Sequence, residues 1–243
     1  MSEDRRLRID ASDYLTRSYA EKGVGGWRAL FLKFVIGLRP ESVLEAGAGA
    51  PDFLANAPAA RRVALDVGDR YSAAFQAAGI EFLQRDLDRE GVGAAGFDVV
   101  ICSDVFEHLL NPAFALASLR EAMSPCGVLL SHVPNEFRLR TIAVMLGRRP
   151  ATMFHADAQE WNDPHLRRFT DCGYRAFLQT QFKHNVRLTE LRYEGPARLW
   201  RALGQRAPYF LEGGPTYAST NDLGKMRCVI AIKRRLSRAG PWP

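Results

Sequence analysis

The stretch V-L-E-A-G-A-G-A-P-D-F-L, Val43 to Leu54, decides the fold. Its apolar start reads as a short strand, its glycines as a tight turn and its end as the first turn of a helix. Gly47 and Gly49 fall where the backbone must approach a ligand closely, because the start of a helix presents unpaired amides. A dinucleotide fingerprint would require its third small residue at Asp52, which places a carboxylate beside a pyrophosphate. Glu45, two residues before the first glycine, suits instead a ligand that carries an ammonium group. Pro51 fits a first helical turn, although it removes one amide donor.

Outward from this segment the chain alternates between strand and helix. Ser42–Glu45, Val63–Asp66, Glu81–Leu83, Phe97–Ser103 and Gly127–Val133 are short apolar runs closed by polar residues. That is the signature of parallel strands buried on both faces. Between them Asp52–Ala57, Tyr71–Ala78 and Pro112–Met123 are predicted helices, so the alternation implies a doubly wound parallel sheet. Residues 10–38 read as helical, interrupted near Gly23, Gly25 and Gly26. Beyond Pro134, Phe137–Leu146 reads as a helix and Gly147–Pro164 as a loop. Thr170 caps a further predicted helix to Gln179. Val186–Tyr193 and Met226–Lys233 read as two last strands. The segment between them, Glu194–Gly224, is too long and too aromatic for a plain connector.

Composition sets the outer bounds. The 243 residues are 47% hydrophobic and 25% charged, which suits a globular domain and argues against disorder. No apolar run approaches the roughly 18 residues of a spanning helix. Met1–Asp10 is charged and lacks the apolar core of a secretory signal, so a cytoplasmic protein is expected. The four cysteines stand far apart and form no C-x-x-C pair. They read as reduced thiols packed as small buried hydrophobes. A net charge of +6 permits an anionic partner, although scattered basic residues are more often solvated surface. No metal site is legible, since no histidine pair at i, i+4 accompanies a carboxylate.

Taken together, Glu45, Gly47 and Gly49 resemble the first motif of the class I S-adenosylmethionine-dependent methyltransferases, an acidic residue followed by G-x-G-x-G. Pro51 stands where the third glycine is common. Further matches follow in family order: Asp66, 21 residues after Glu45; Asp86 in L-Q-R-D-L; and F-D-V-V-I-C-S-D-V-F-E-H-L, Phe97–Leu109. The last resembles the FDxVxxxxVxEH segment of the ubiquinone-biosynthesis-like and type 11–23 methyltransferases. Gly127–Asn135 looks like their fifth strand, and His165–Thr170 like their HxRxFT element.

The resemblance implies a Rossmann-like α/β fold, a seven-stranded mostly parallel sheet with helices on both faces. It implies S-adenosylmethionine as cofactor and S-adenosylhomocysteine as product. Asp66, with Val67 beside it, would hold the ribose, and Asp86 and Leu87 would lie near the adenine. Cys102, Ser103, Asp104 and His108 would line the cofactor pocket. Residues 1–243 would form a single methyltransferase domain. Residues 1–38 would be an N-terminal helical cap and 41–135 the cofactor-binding core. Residues 136–243 would be an acceptor-side half, with a lid-like insertion at 194–224.

Methyl transfer demands chiefly that the acceptor be held in line. A hydroxyl acceptor also needs a general base, for which histidine is suited at neutral pH. His108, His132 and His165 are the candidates, as they lie near the expected mouth of the site. O-methylation of a small-molecule or glycan-type acceptor is the leading expectation. An RNA methyltransferase and a non-catalytic methyltransferase-fold partner protein are the alternatives. No N/D-P-P-Y/F motif or RNA-binding module supports the first.

Overall fold

The computed structural model describes residues 26–135, 165–189 and 214–238. The chain enters through helix α1 (Gly26–Leu38) and strand β1 (Ser42–Ala46), then α2 (Asp52–Ala55) and β2 (Arg61–Asp66). Helix α3 (Ser72–Ala77), β3 (Glu81–Gln84) and β4 (Phe97–Ser103) follow. A single 3-10 turn, Phe106–His108, leads to α4 (Pro112–Ala122) and β5 (Met123–His132). The remaining elements are α5 (Asp171–Gln179), β6 (His184–Arg187), β7 (Thr216–Thr220) and α6 (Leu223–Arg238).

The strands form one seven-stranded sheet in the order β3-β2-β1-β4-β5-β7-β6. β7 runs antiparallel to both of its neighbours, and every other pairing is parallel. This is the expected fold. Alternate residues of each central strand face opposite layers, as the pleat dictates. Val43, Val99, Ile101, Val128 and Leu130 join Phe31 and Phe34 of α1, Phe53 of α2 and Val229 of α6. Leu44, Leu65, Val100 and Leu129 join Leu116 and Leu119 of α4 and Tyr174 and Leu178 of α5. Strand order reverses between β1 and β4, so the crevice beyond their C-terminal ends is where such a sheet takes a ligand.

Local signals act where the sequence placed them. Thr170 Oγ1 accepts from the Gly173 amide and caps α5, and Asn111 Oδ1 does the same for α4 ahead of Pro112. Asp98, within the FDxV match, works at the far end of the sheet. Its Oδ2 accepts from the amides of Glu41 and Ser42 and ties β4 to the start of β1.

Three expectations are corrected. Met226–Lys233 is not a strand but the middle of α6, where Met226, Val229 and Ile232 face the core at helical spacing. The Lys225 amide donates to Asp222 Oδ1 at the start of that helix. The last strand is instead T-Y-A-S-T, Thr216–Thr220, with all five residues buried. The C-terminal end of the expected lid is therefore central sheet, while residues 194–213 lie outside the described residues. Residues 26–38 form a helix packed on the sheet, with Phe31 and Phe34 fully buried. Of the cysteines only Cys102 is buried; Cys126, Cys172 and Cys228 are exposed. Residues 1–25 and the predicted Phe137–Leu146 helix lie outside the described residues, as does the Gly147–Pro164 loop. Strand β6 begins two residues before the expected Val186 and ends at Arg187. Among the described residues no helix is long and apolar enough to cross a membrane.

Candidate active site

The C-terminal ends of β1 and β2 carry the glycine turn and two buried carboxylates. Glu45 is only 3% exposed. Arg28, in the first turn of α1, donates from Nη2 to its Oε1 at 2.9 Å. The other oxygen, Oε2, is buried with no hydrogen-bond partner among the described residues. Burial pushes the Glu45 carboxyl up to about 7, because the Arg28 guanidinium offsets only part of the desolvation. The neighbouring carboxylates of Asp66 and Asp52 push in the same direction.

Gly47 has φ +69°, and a Cβ there would lie 2.3 Å from Val105 Cγ2. Only glycine fits this position, and its amide donates to the Leu65 carbonyl at 2.8 Å. Asp66 closes the β2 end. Its Oδ2 accepts from the Gly49 amide at 3.0 Å and its Oδ1 from the Gly68 amide at 3.1 Å. Burial raises the Asp66 carboxyl, while the amides of Gly49, Gly68 and Val67 pull it back. Val67 presents an exposed apolar side chain at this edge. Asp86 organises the turn after β3. Its Oδ1 accepts from the Asp88 amide and its own amide donates to Glu90 Oε2. Leu87 faces the core on the α4 side.

A second group lies where β4, β5 and β7 end. Ser103 closes β4 opposite His132, the last residue of β5. Asp104 follows with φ +52°, a conformation aspartate tolerates better than most residues. Its amide donates to the His132 carbonyl at 3.0 Å. His132 Nε2 stands 3.7 Å from Asp104 Oδ1. On its other side, Nδ1 lies 2.8 Å from Thr216 Oγ1, directly across the antiparallel pair. The Thr216 hydroxyl donates to the Gly214 carbonyl. With its proton on that carbonyl, Oγ1 is an acceptor for an Nδ1–H of His132. Trp27 stacks on the imidazole with centroids 5.1 Å apart and planes 17° apart.

The three candidate histidines do not form one cluster. His108 and His165 meet edge-on, with centroids 4.8 Å apart, whereas His132 sits with Thr216 and Trp27. Glu107 joins the pair, so that one ligand atom from each of Glu107, His108 and His165 lies within 4.8 Å of the others. Sequence spacing hides this group, because His165 is remote in the chain. Thr216, Trp27 and Arg28 also escape the sequence reading. Thr216 lies in a polar run that reads as loop. The adjacent Trp27 and Arg28 have no signal beyond their place directly after Gly25-Gly26.

A family model described as a methyltransferase domain matches residues 18–199. The chain belongs to this methyltransferase family. A 1,6-didemethyltoxoflavin-N1-methyltransferase from Burkholderia thailandensis, solved with S-adenosylhomocysteine, has a similar fold at 18% identity and a TM-score of 0.54. The match covers 88% of this chain and 83% of that one. A Thermotoga maritima S-adenosylmethionine-dependent methyltransferase, described as a possible histamine N-methyltransferase, matches at 11% identity and a TM-score of 0.52. That match covers 80% of this chain and 90% of the other. No curated protein matches in sequence. This methyltransferase uses S-adenosylmethionine, and its residues fit that cofactor. Glu45 Oε2 is a buried acceptor awaiting a donor, and the turn at Gly47 holds bare backbone where a side chain would collide with Val105.

Proposed function

We propose that this methyltransferase transfers a methyl group to a hydroxyl of a small-molecule or glycan-type acceptor, with His132 as general base. The observation that carries this reading is the Thr216 hydroxyl, whose Oγ1 lies 2.8 Å from Nδ1 of His132, so that Nε2 is the nitrogen assigned here to take the proton. Asp104, at 3.7 Å, favours the imidazolium that results. A fixed tautomer, a carboxylate beside the working nitrogen and a stacking Trp27 together make an oriented base.

In this reading residues 41–135 hold the cofactor and the later residues supply the acceptor side. Bound S-adenosylmethionine supplies an electrophilic methyl group on a sulfonium. Glu45 accepts from the ammonium of its methionine portion, and Asp66 accepts from the ribose hydroxyls. Gly47 and Gly49 let the backbone come close. Val67, Asp86 and Leu87 belong to the adenine end, and Ser103, Asp104 and His108 line the pocket toward the acceptor.

His132→Ala should lower kcat by roughly 10²–10⁴-fold, the usual worth of a general base, with cofactor affinity unchanged within about twofold. Thr216→Val should lower kcat in the same direction but less, and should alter the acid limb of the pH–rate profile. The assay is transfer of labelled methyl to a panel of hydroxyl, carboxyl and amine acceptors, with chemical identification of the product. Label on a carboxylate or on nitrogen, or an unchanged kcat in His132→Ala, would overturn the hydroxyl reading.

A further inference from the structure

We propose that Glu107, His108 and His165 form a binding site for a divalent first-row transition-metal cation at the C-terminal edge of β4. One ligand atom from each lies within 4.8 Å of the other two, with His108 Nε2 3.8 Å from Glu107 Oε1. Ligand atoms around a tetrahedral Zn²⁺ with bonds of about 2 Å are roughly 3.3 Å apart. The group must therefore tighten from within 4.8 Å toward that spacing to hold an ion.

The backbone is held for this purpose from both sides. The Arg167 amide donates to the Glu107 carbonyl at 3.0 Å. The Arg167 guanidinium donates to the carbonyls of Leu109 and Leu110, at 3.2 and 2.5 Å. This staple fixes the segment that begins at His165 against the turn that carries His108. Thr170 then caps α5, whose Phe177 packs on Phe106 with ring centroids 5.2 Å apart. The ligands thus come from two chain segments locked together at three backbone carbonyls.

The donor set selects the ion. Two imidazoles and one carboxylate suit Zn²⁺, Mn²⁺, Fe²⁺, Co²⁺ or Ni²⁺, whereas Mg²⁺ and Ca²⁺ prefer an all-oxygen shell. Glu107 is 1% exposed, so an ion on its carboxylate would be shielded from bulk water. A site with three protein ligands and a fourth position for water or a bound molecule's oxygen is of the kind that polarises a ligand, and the described residues supply three.

The probe is Co²⁺ alone, added to the full chain after chelation and dialysis, so the outcome does not depend on which acceptor the enzyme uses. The expected result is uptake of one Co²⁺ per chain with visible d–d absorption, displaced by Zn²⁺ but not by an equal concentration of Mg²⁺. His165→Ala and His108→Ala should each weaken uptake by at least roughly tenfold, since even changes outside the ligand shell cost that much. His184→Ala, in β6, should leave uptake unchanged. Glu107→Gln is read only if its thermal unfolding stays cooperative, and the two histidine variants decide the matter without it. No stoichiometric uptake, or uptake that survives His165→Ala, would overturn the proposal.

Discussion

At the β1–β2 end of the site, the Asp66 carboxylate is held by backbone: it accepts from two amides, and Gly47 permits a turn that no other residue can make. At the β5–β7 end, a side chain is held by side chains: His132 is fixed by the Thr216 hydroxyl, the Trp27 ring and the Asp104 carboxylate. The first arrangement is rigid and suits a ligand that never changes. The second depends on side chains that can be replaced one at a time, and under the proposed function it is where the acceptor meets its base. Substitutions at the first end should therefore move stability and cofactor affinity together, and those at the second should move turnover alone.

The hardest test of that contrast is Gly47→Ala. It forces an alanine into φ +69° and drives its Cβ to 2.3 Å from Val105 Cγ2. A left-handed alanine costs about 1–2 kcal/mol and an overpacked contact about 1–3 more. The expected loss is thus about 2–5 kcal/mol of stability in denaturant unfolding, with cofactor binding lost in parallel. Pairing it with Val105→Ala should restore the steric part but not the backbone part. A Gly47→Ala protein with unaltered unfolding would show that the turn is not rigid.

Asp66→Ala comes next. It removes the acceptor that joins the turns at Gly49 and Gly68, together with the proposed ribose partner. Cofactor affinity should weaken by roughly 1.5–3 kcal/mol, the cost of losing a charged hydrogen-bond partner. Calorimetric titration with S-adenosylhomocysteine measures it. An affinity unchanged within about twofold would reduce Asp66 to a residue that merely closes a strand.

The same contrast explains how far the sequence could be read. In β1, β2 and β4 the middle residues are apolar and the layer on each face is apolar, so strand, glycine turn and closing carboxylate stand out along the chain. β7 is buried just as completely, but Thr216 and Thr220 satisfy their hydroxyls on Gly214 and Gly127 carbonyls. A strand buried through threonine, serine and alanine has no hydrophobic signature. α6 misleads in the opposite way, since C-V-I-A-I is rich in β-branched residues. Its signal lay upstream, at Asp222, which receives the Lys225 amide. The separation of His132 from the His108–His165 pair was equally unreadable, because it depends on which strand edge each residue reaches.

The gentlest test concerns protons. Glu45 has its carboxyl pushed up to about 7 from an ordinary 4.5, chiefly by burial, with Arg28 opposing. In the free protein the native state holds more protons than the unfolded chain between those two values. Glu45 therefore subtracts stability as pH rises through that window, the reverse of a salt-bridged surface carboxylate. A cationic ligand group placed against Oε2 restores the ionised form, so binding releases a proton below about pH 7. Affinity for S-adenosylhomocysteine should then rise roughly eightfold between about pH 6 and about pH 7.5, if the carboxyl is ionised throughout in the complex. Glu45→Gln should flatten this dependence, leaving only what the ligand's own amine contributes. Calorimetry in two buffers of different ionisation enthalpy counts the protons directly. A wild-type profile as flat as that of Glu45→Gln would mean that Glu45 does not meet the ammonium. The buried oxygen would then serve the fold, and the β1 end would owe its cofactor affinity to backbone alone.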